Sequence, residues 1–202
     1  WYILDCPEGA TLVVGHNAKD KEECAKMIHE GRWSEFIREV PIRKGDFVSI
    51  VPGTVHAIKA GVMLLETQQN SDITYRVYDY DRLSNGRKRE LHIEKSIDVI
   101  NAPASPAQDS IHNFANVRKN KPVLMEKSAY YKVWKLVVED GSELQLSREK
   151  DFDSSYLLAS VVAGSGYING TAIKKGDHFI VTNECDSLSF SGDMEIILSA
   201  QI

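Results

Sequence analysis

The chain has 202 residues, 43% of them hydrophobic, enough for one large domain or two modest ones with real cores. Its net charge of −5 without a basic stripe excludes a nucleic-acid-binding design, and no apolar run approaches the roughly 20 residues of a membrane helix. Three widely spaced cysteines, Cys6, Cys24 and Cys185, form no C-x-x-C pair and point to a reducing, cytoplasmic setting, not a disulfide scaffold.

In chain order, strand signals dominate. The chain opens on "WYILDC", already strand-like and without a lead-in, so the expectation is that natural sequence precedes Trp1. "ATLVV" follows, then a helical passage, "AKDKEECAKMIHEG", with Cys24, Met27 and Ile28 on one face and Gly31 able to close it. "RWSEFIREV" reads as another turn or two of helix with Trp33, Phe36 and Ile37 inward. The runs "GDFVSIV", "VHAIK", "VMLLETQ" and "TYRVYDY" read as strands, "RLSNGRKRE" as a charged loop, and "LHIEKSIDVI" as a short third helix. The proline- and polar-rich stretch around 106–121 reads as an interdomain connection, after which strands resume to the end.

The expected fold is all-β with small helical insertions. A first unit over 1–105 and a second over 122–202 would be two related antiparallel barrels. An internal echo supports the pairing. "IRKGDFVSI" at Ile42 resembles "IKKGDHFIV" at Ile173, and the same offset pairs Gly61 with Gly192 and Met63 with Met194. At that offset His56 falls opposite Ser187, so the second copy would lack the histidine.

His56, in "SIVPGTVHAIKAG", has two readings: a hydrogen-bonded core histidine, or a ligand aimed into a cavity. One histidine does not hold a metal by itself. Downstream, "LLETQQNSDITYRVYDYDR" concentrates polar groups. The strand period of two would put Tyr75, Val77 and Asp79 on one face and Thr74, Arg76, Tyr78 and Tyr80 on the other. Arg76 would then emerge among tyrosines as an oriented guanidinium; the alternative is a solvated hairpin end with mutual Asp–Arg pairs.

Together, "WYIL", "KGDFVSIVPGTVHAI", "LLETQQNSDITYRVYDYDR" and "ELHIEKSID" resemble type I mannose-6-phosphate isomerase in its short bacterial form, over nearly the whole chain. The resemblance implies a cupin-type metalloenzyme that interconverts mannose 6-phosphate and fructose 6-phosphate in the cytoplasm. It makes His56 a metal ligand, with Zn2+ the expected ion. Arg76 becomes the active-site arginine and Glu66 an acidic group for proton transfer or contact with metal-bound water, while Ser71 and Asp72 support them. It implies further ligands upstream of Trp1; His16, His29 and His92 lie in no matching motif. The expected partner is a phosphorylated hexose, without nucleic acid or membrane, and a homodimer is possible. This polypeptide alone is expected to be inactive. The rivals are a non-catalytic cupin that binds a sugar or regulator, and a cupin dioxygenase, which would want an H-x-H pair that "TVHAI" does not offer.

Overall fold

The computed structural model describes residues 1–71, 73–139 and 143–202 and divides into two units, Trp1–His112 and Asn113–Ile202. The first unit holds β1 (Tyr2–Asp5), β2 (Thr11–His16), α1 (Lys21–His29), α2 (Trp33–Phe36), β3 (Ile37–Pro41), β4 (Asp46–Val48), β5 (His56–Ala57), β6 (Met63–Leu65), β7 (Leu83–Ser84), β8 (Arg87–Lys88), α3 (Ile93–Val99) and β9, which begins at its end (Ile111–Asn113). Two small sheets carry it, in orders β6-β1-β4-β9 and β3-β2-β5. Ile3, Leu12, Val14, Val40, Ile42 and Val48 fill the space they enclose. The helices enclose a second cluster of Cys24, Met27, Ile28, Phe36, Ile97 and Ile100. The i, i+3, i+4 spacing of its first three residues is what makes α1 amphipathic. Asp20 caps that helix by accepting from the Glu23 N–H at 2.8 Å, a bond of about 1 kcal/mol.

The second unit holds β10 (Val123–Lys127), β11 (Tyr131–Val138), β12 (Leu144–Ser147), α4 (Arg148–Phe152), β13 (Leu157–Ile168), β14 (Thr171–Lys174), β15 (His178–Val181) and β16 (Ser187–Gln201). They form one antiparallel sheet in the order β10-β11-β16-β13-β14, with β12 beside β16 and β15 beside β13. Alternate residues of its long strands, among them Leu136, Val138, Leu157, Ala159, Phe190 and Ile196, enter one core. No helix among the described residues is long and apolar enough to cross a membrane.

Several expectations from sequence give way. "TYRVYDY" is not a strand. Its backbone leaves the sheet because Arg76 exchanges bonds with His92: the Arg76 N–H donates to His92 Nδ1 at 3.1 Å and the His92 N–H to the Arg76 carbonyl at 2.7 Å. Tyr80 and Asp81 then both take φ of +54°. The "charged loop" is the hairpin β7–β8, turned by Asn85 (φ +52°) and Gly86 (φ +75°), the Asn-Gly signature of a type I′ turn. "SEFIREV" stops being helical at Phe36, and Ile37 opens β3 instead. Within the connecting stretch, a short 3-10 turn at Ala107–Asp109 leads into β9, which joins the sheet beside β4.

The K-G-D turns have the same local geometry. Gly45 and Gly176 sit at φ +87° and +93°, a region open to glycine. Asp46 and Asp177 each accept a backbone N–H three residues back, from Arg43 and Lys174, both at 2.8 Å. The glycine N–H donates into the neighbouring strand, to the Ile3 carbonyl in one unit and the Val161 carbonyl in the other, both at 2.9 Å. Those strands carry the same irregularity: Ile3 pairs with Leu64 ahead of a bulge, and Val161 with Ile196.

The register corrects the echo beyond the turn. Leu12 pairs with Val40 as Ile168 pairs with Thr171, which keeps the offset seen at K-G-D. The Ile3–Leu64 and Val161–Ile196 pairs, however, require one extra residue in the second copy between the turn and the last strand. Gly61 and Met63 therefore do not superpose on Gly192 and Met194. Following β2 and β13 outward by the same register, Val14 pairs with His56 and Ile168 with Phe190, so His56 corresponds to Leu188, not Ser187. Leu188 is wholly buried, with β12 lying beside it. His56 is exposed on β5, the last strand of its sheet. The echo thus offers a core leucine where an open histidine stands, and it does not distinguish ligand from filler.

Candidate functional site

The break at Pro52-Gly53 sets the direction of β5. Gly53 has φ +83°, and a Cβ there would stand 2.6 Å from both the Val99 carbonyl and the Asn101 amide. Asn101 latches this turn: its side-chain amide donates to the Pro52 carbonyl at 2.7 Å and its backbone N–H to the Gly53 carbonyl at 3.0 Å. The chain then runs along β2, where the Gly15 N–H donates to the Val55 carbonyl at 2.7 Å. His56 follows with one ring nitrogen committed. Its Nδ1 lies 2.7 Å from the Thr54 carbonyl. A carbonyl only accepts, so Nδ1 carries the proton, and in the neutral ring Nε2 presents a lone pair. A backbone carbonyl on the far nitrogen is the usual way a metal-ligating imidazole is oriented.

The opposite case is in the same unit. His16 is 3% exposed and stacks on Phe36 with ring centroids 5.0 Å apart. Its Nδ1 accepts from the Ala18 N–H at 3.2 Å and its Nε2 donates to the Asn101 carbonyl at 2.9 Å, so both nitrogens are used. Burial, outweighing the Asn101 bond and aided by the charges of Arg38 and Lys21, holds its pKa below the ordinary 6.5. The folded state therefore favours the neutral ring. Its contribution to stability is fully present above pH 6.5 and is lost as pH falls through that value toward the folded pKa. The loss is at most about 1.4 kcal/mol per pH unit. Denaturant midpoints measured between pH 7.5 and 5 should fall in the wild type, and His16→Gln should flatten that slope; an unchanged slope in the variant would contradict the assignment.

Glu66, just past β6, is exposed, and its Oε1 accepts the Trp1 indole N–H at 2.7 Å. Trp1 also meets the His56 ring edge-on, with centroids 5.4 Å apart. One nearly buried indole thus touches both His56 and Glu66. A buried tryptophan needs a partner for its N–H, and an apolar strand ending in a glutamate is a signal for one.

Arg76 does not join them. Its guanidinium donates from Nη1 to the Glu90 carbonyl at 3.1 Å, and no hydrogen bond or ion pair connects it to His56 or Glu66 among the described residues. Ser71 closes a local turn by accepting the Ile73 N–H at 3.2 Å, and Asp72 lies outside the described residues. Lys59 is spoken for by Glu39 at 2.7 Å and the Thr11 hydroxyl at 3.0 Å, and it is the larger reason the Glu39 carboxyl lies below its usual range.

Sequence reasoning missed an aromatic ladder beside His56. Trp33 stacks on Tyr78 at 4.5 Å between centroids, and Tyr78 meets Tyr80 at the same distance. With Val55, Phe36 and His56 these rings border a cavity of about 40 Å³, room for about one water. The alternation of Tyr78 and Tyr80 signals a shared face, while Trp33 reaches them from a distant segment. No group of three or more His, Cys, Asp or Glu side chains converges among the described residues. A zinc centre takes about three protein donors. Here His56 offers one nitrogen and Glu66 a carboxylate already shared with Trp1, so these residues do not by themselves fit the ion.

Residues 124–201 match the family model for the mannose-6-phosphate isomerase cupin domain. The chain is 42% identical over 98% of its length to a mannose-6-phosphate isomerase from Streptococcus mutans. It is 41% identical over 98% to mannose-6-phosphate isomerase ManA of Bacillus subtilis. The chain is similar to these mannose-6-phosphate isomerases along nearly its whole length. It spans 62% of the length of those curated relatives. Among solved structures it matches the mannose 6-phosphate isomerase from Bacillus subtilis with a TM-score of 0.79 at 34% identity, covering 98% of this chain and 63% of that one. A mannose 6-phosphate isomerase structure bound with zinc and yttrium matches at TM-score 0.63 and 14% identity over 85% of this chain and 41% of that one, a likeness of fold alone. The strand-rich units with few short helices are those of the all-β cupin fold.

Proposed function

We propose that this chain is the larger part of a cytoplasmic aldose–ketose isomerase that interconverts mannose 6-phosphate and fructose 6-phosphate through a cis-enediol(ate). The observation that carries the reading is identity of about 40% to mannose-6-phosphate isomerases along 98% of the chain. The reaction moves a proton between C1 and C2 while negative charge develops on oxygen. In this reading Glu66 carries the proton, its position fixed by the Trp1 indole. Arg76, turned from its Glu90 contact toward the sugar oxygens, stabilises the developing charge. His56 offers its Nε2 lone pair as one donor to a divalent metal, zinc by analogy with the fold neighbour bound with zinc and yttrium. Because one imidazole and one shared carboxylate fall short of a zinc centre, no step is derived through the ion. Homodimerisation belongs to the same proposal and is read by light scattering.

The full product of the gene should convert mannose 6-phosphate to fructose 6-phosphate in a coupled assay with added zinc or manganese. Tight sugar-phosphate binding without turnover under those conditions would favour the non-catalytic cupin instead.

A further inference from the structure

Asp79 is 5% exposed, yet it is a carboxylate. It survives burial because two guanidinium groups converge on it. Arg89 donates from Nε at 2.8 Å and from Nη2 to the other carboxylate oxygen, and Arg82 donates from Nη2 at 2.7 Å. Arg82 also reaches the Asp79 carbonyl from Nε at 3.3 Å. The Arg89 bonds first, and those of Arg82 after them, hold the Asp79 carboxyl far below its usual range. Asp79 is therefore ionised at any working pH, and two cations share one anion. Among the described residues no second carboxylate pairs with Arg82 or Arg89. The nearby Asp81 is matched by Lys88 at 2.5 Å. Among the described residues, one positive charge of the Arg82–Asp79–Arg89 group is left uncompensated, on side chains that are 63% and 40% exposed.

A staple for the hairpin would need only one arginine. Two planar guanidiniums oriented by a single buried carboxylate are instead the arrangement that receives a tetrahedral anion, since each keeps free donors in a fixed plane. The location fits. Arg82 lies over the Tyr80 ring, 5.7 Å from its centroid, and Tyr80 borders the same small cavity as His56. The chain between them is strained: Tyr80 and Asp81, neither of them glycine, both have φ of +54°. Such conformations persist where surrounding contacts impose them, and they cluster at ligand sites. The competing basic side chain on the β2 side, Lys59, is neutralised by Glu39.

We propose that Arg82 and Arg89, held by Asp79, are the subsite for the phosphate of a phosphorylated hexose whose reacting end lies toward His56. This rests on the isomerase reading above. The sugar would lie along Tyr80, between the reacting carbons and the phosphate anchor.

The test uses the full gene product with Arg82→Gln, Arg82→Lys and Arg89→Gln. Each glutamine variant should raise KM for mannose 6-phosphate about 10- to 100-fold with little change in kcat. The inhibition constant of inorganic phosphate should rise by the same factor, and Arg82→Lys should recover part of both. A purely structural role would lower the melting temperature without moving phosphate inhibition. If the wild type turns over and phosphate competes, but Arg82→Gln leaves both constants unchanged, the subsite is elsewhere, with Arg76 the remaining candidate, and the proposal is overturned. Arg82 is the decisive position because its exposed side chain can be lost without unfolding, even where Arg89→Gln does not fold. If the wild type does not turn over, the isomerase reading fails. Phosphate titration then judges the subsite alone: binding that Arg82→Gln removes supports it, and binding that it leaves intact overturns it.

Discussion

Replacing His56 with alanine in the full gene product is expected to lower kcat/KM for mannose 6-phosphate by on the order of 10²- to 10³-fold or more, the scale set by losing one organised electrostatic group from a reaction centre. The expectation rests on where the ring's two nitrogens go. Thr54 takes the Nδ1 proton, and the ring stands exposed on β5 with no bond that the core depends on. The melting temperature should therefore hardly move, as for a surface substitution worth within about 0.5 kcal/mol. His16→Gln is the control, because that ring is buried with both nitrogens bonded. It should reduce stability while leaving the kinetic constants of the folded fraction near wild type. If His56→Ala keeps wild-type turnover, the histidine is filler at a strand edge and its tautomer carries no function.

The contrast between these two histidines shows what the sequence could carry. Periodicity was enough for α1, because Cys24, Met27 and Ile28 must share a face whatever surrounds them. The K-G-D turns were legible for a similar reason: a glycine at positive φ and an aspartate reaching back three residues are local requirements. "TYRVYDY" was misread because its residues have strand propensity while its partner is His92, a contact that no local pattern encodes. The Asn-Gly pair in "RLSNGRKRE" did announce a hairpin, and the surrounding charges masked it. In the site, His56 and Glu66 stood out as residue types. That they meet through Trp1 depends on β1 lying beside β6, a pairing between distant segments. The same limit hid the Trp33–Tyr78 stack and the convergence of Arg82 and Arg89 on Asp79. The echo misled by one residue, since an insertion between turn and strand is invisible until hydrogen bonds fix the register.

The 202-residue chain by itself is expected to hold zinc weakly and to isomerise mannose 6-phosphate at background, at least about 10³-fold below the full gene product. The argument is a count of available donors. A catalytic zinc is held by about three protein ligands plus an open position. His16 has both nitrogens committed, His29 is bonded to Glu94 at 2.9 Å, and His92 Nδ1 accepts from Arg76. Cys24 is buried, and burial raises its thiol pKa, which disfavours the thiolate that metals bind. Beside Trp1, His56 and one oxygen of Glu66 are the donors at hand, and no cluster of three donors forms among the described residues. Each unit nevertheless encloses an apolar core that owes nothing to an ion, including Ile3, Leu12, Val14 and Val48 in the first and Leu136, Leu188, Phe190 and Ile196 in the second. The chain should therefore unfold cooperatively with and without chelator, at the same temperature, whereas a protein folded around its zinc would not. Competition with a chromophoric chelator reads the zinc affinity, and the coupled assay reads turnover beside the full product. A rate for this chain comparable to the full product, with zinc retained through dialysis, would mean that a complete metal site lies within these residues and that His56 and Glu66 are not where it is centred.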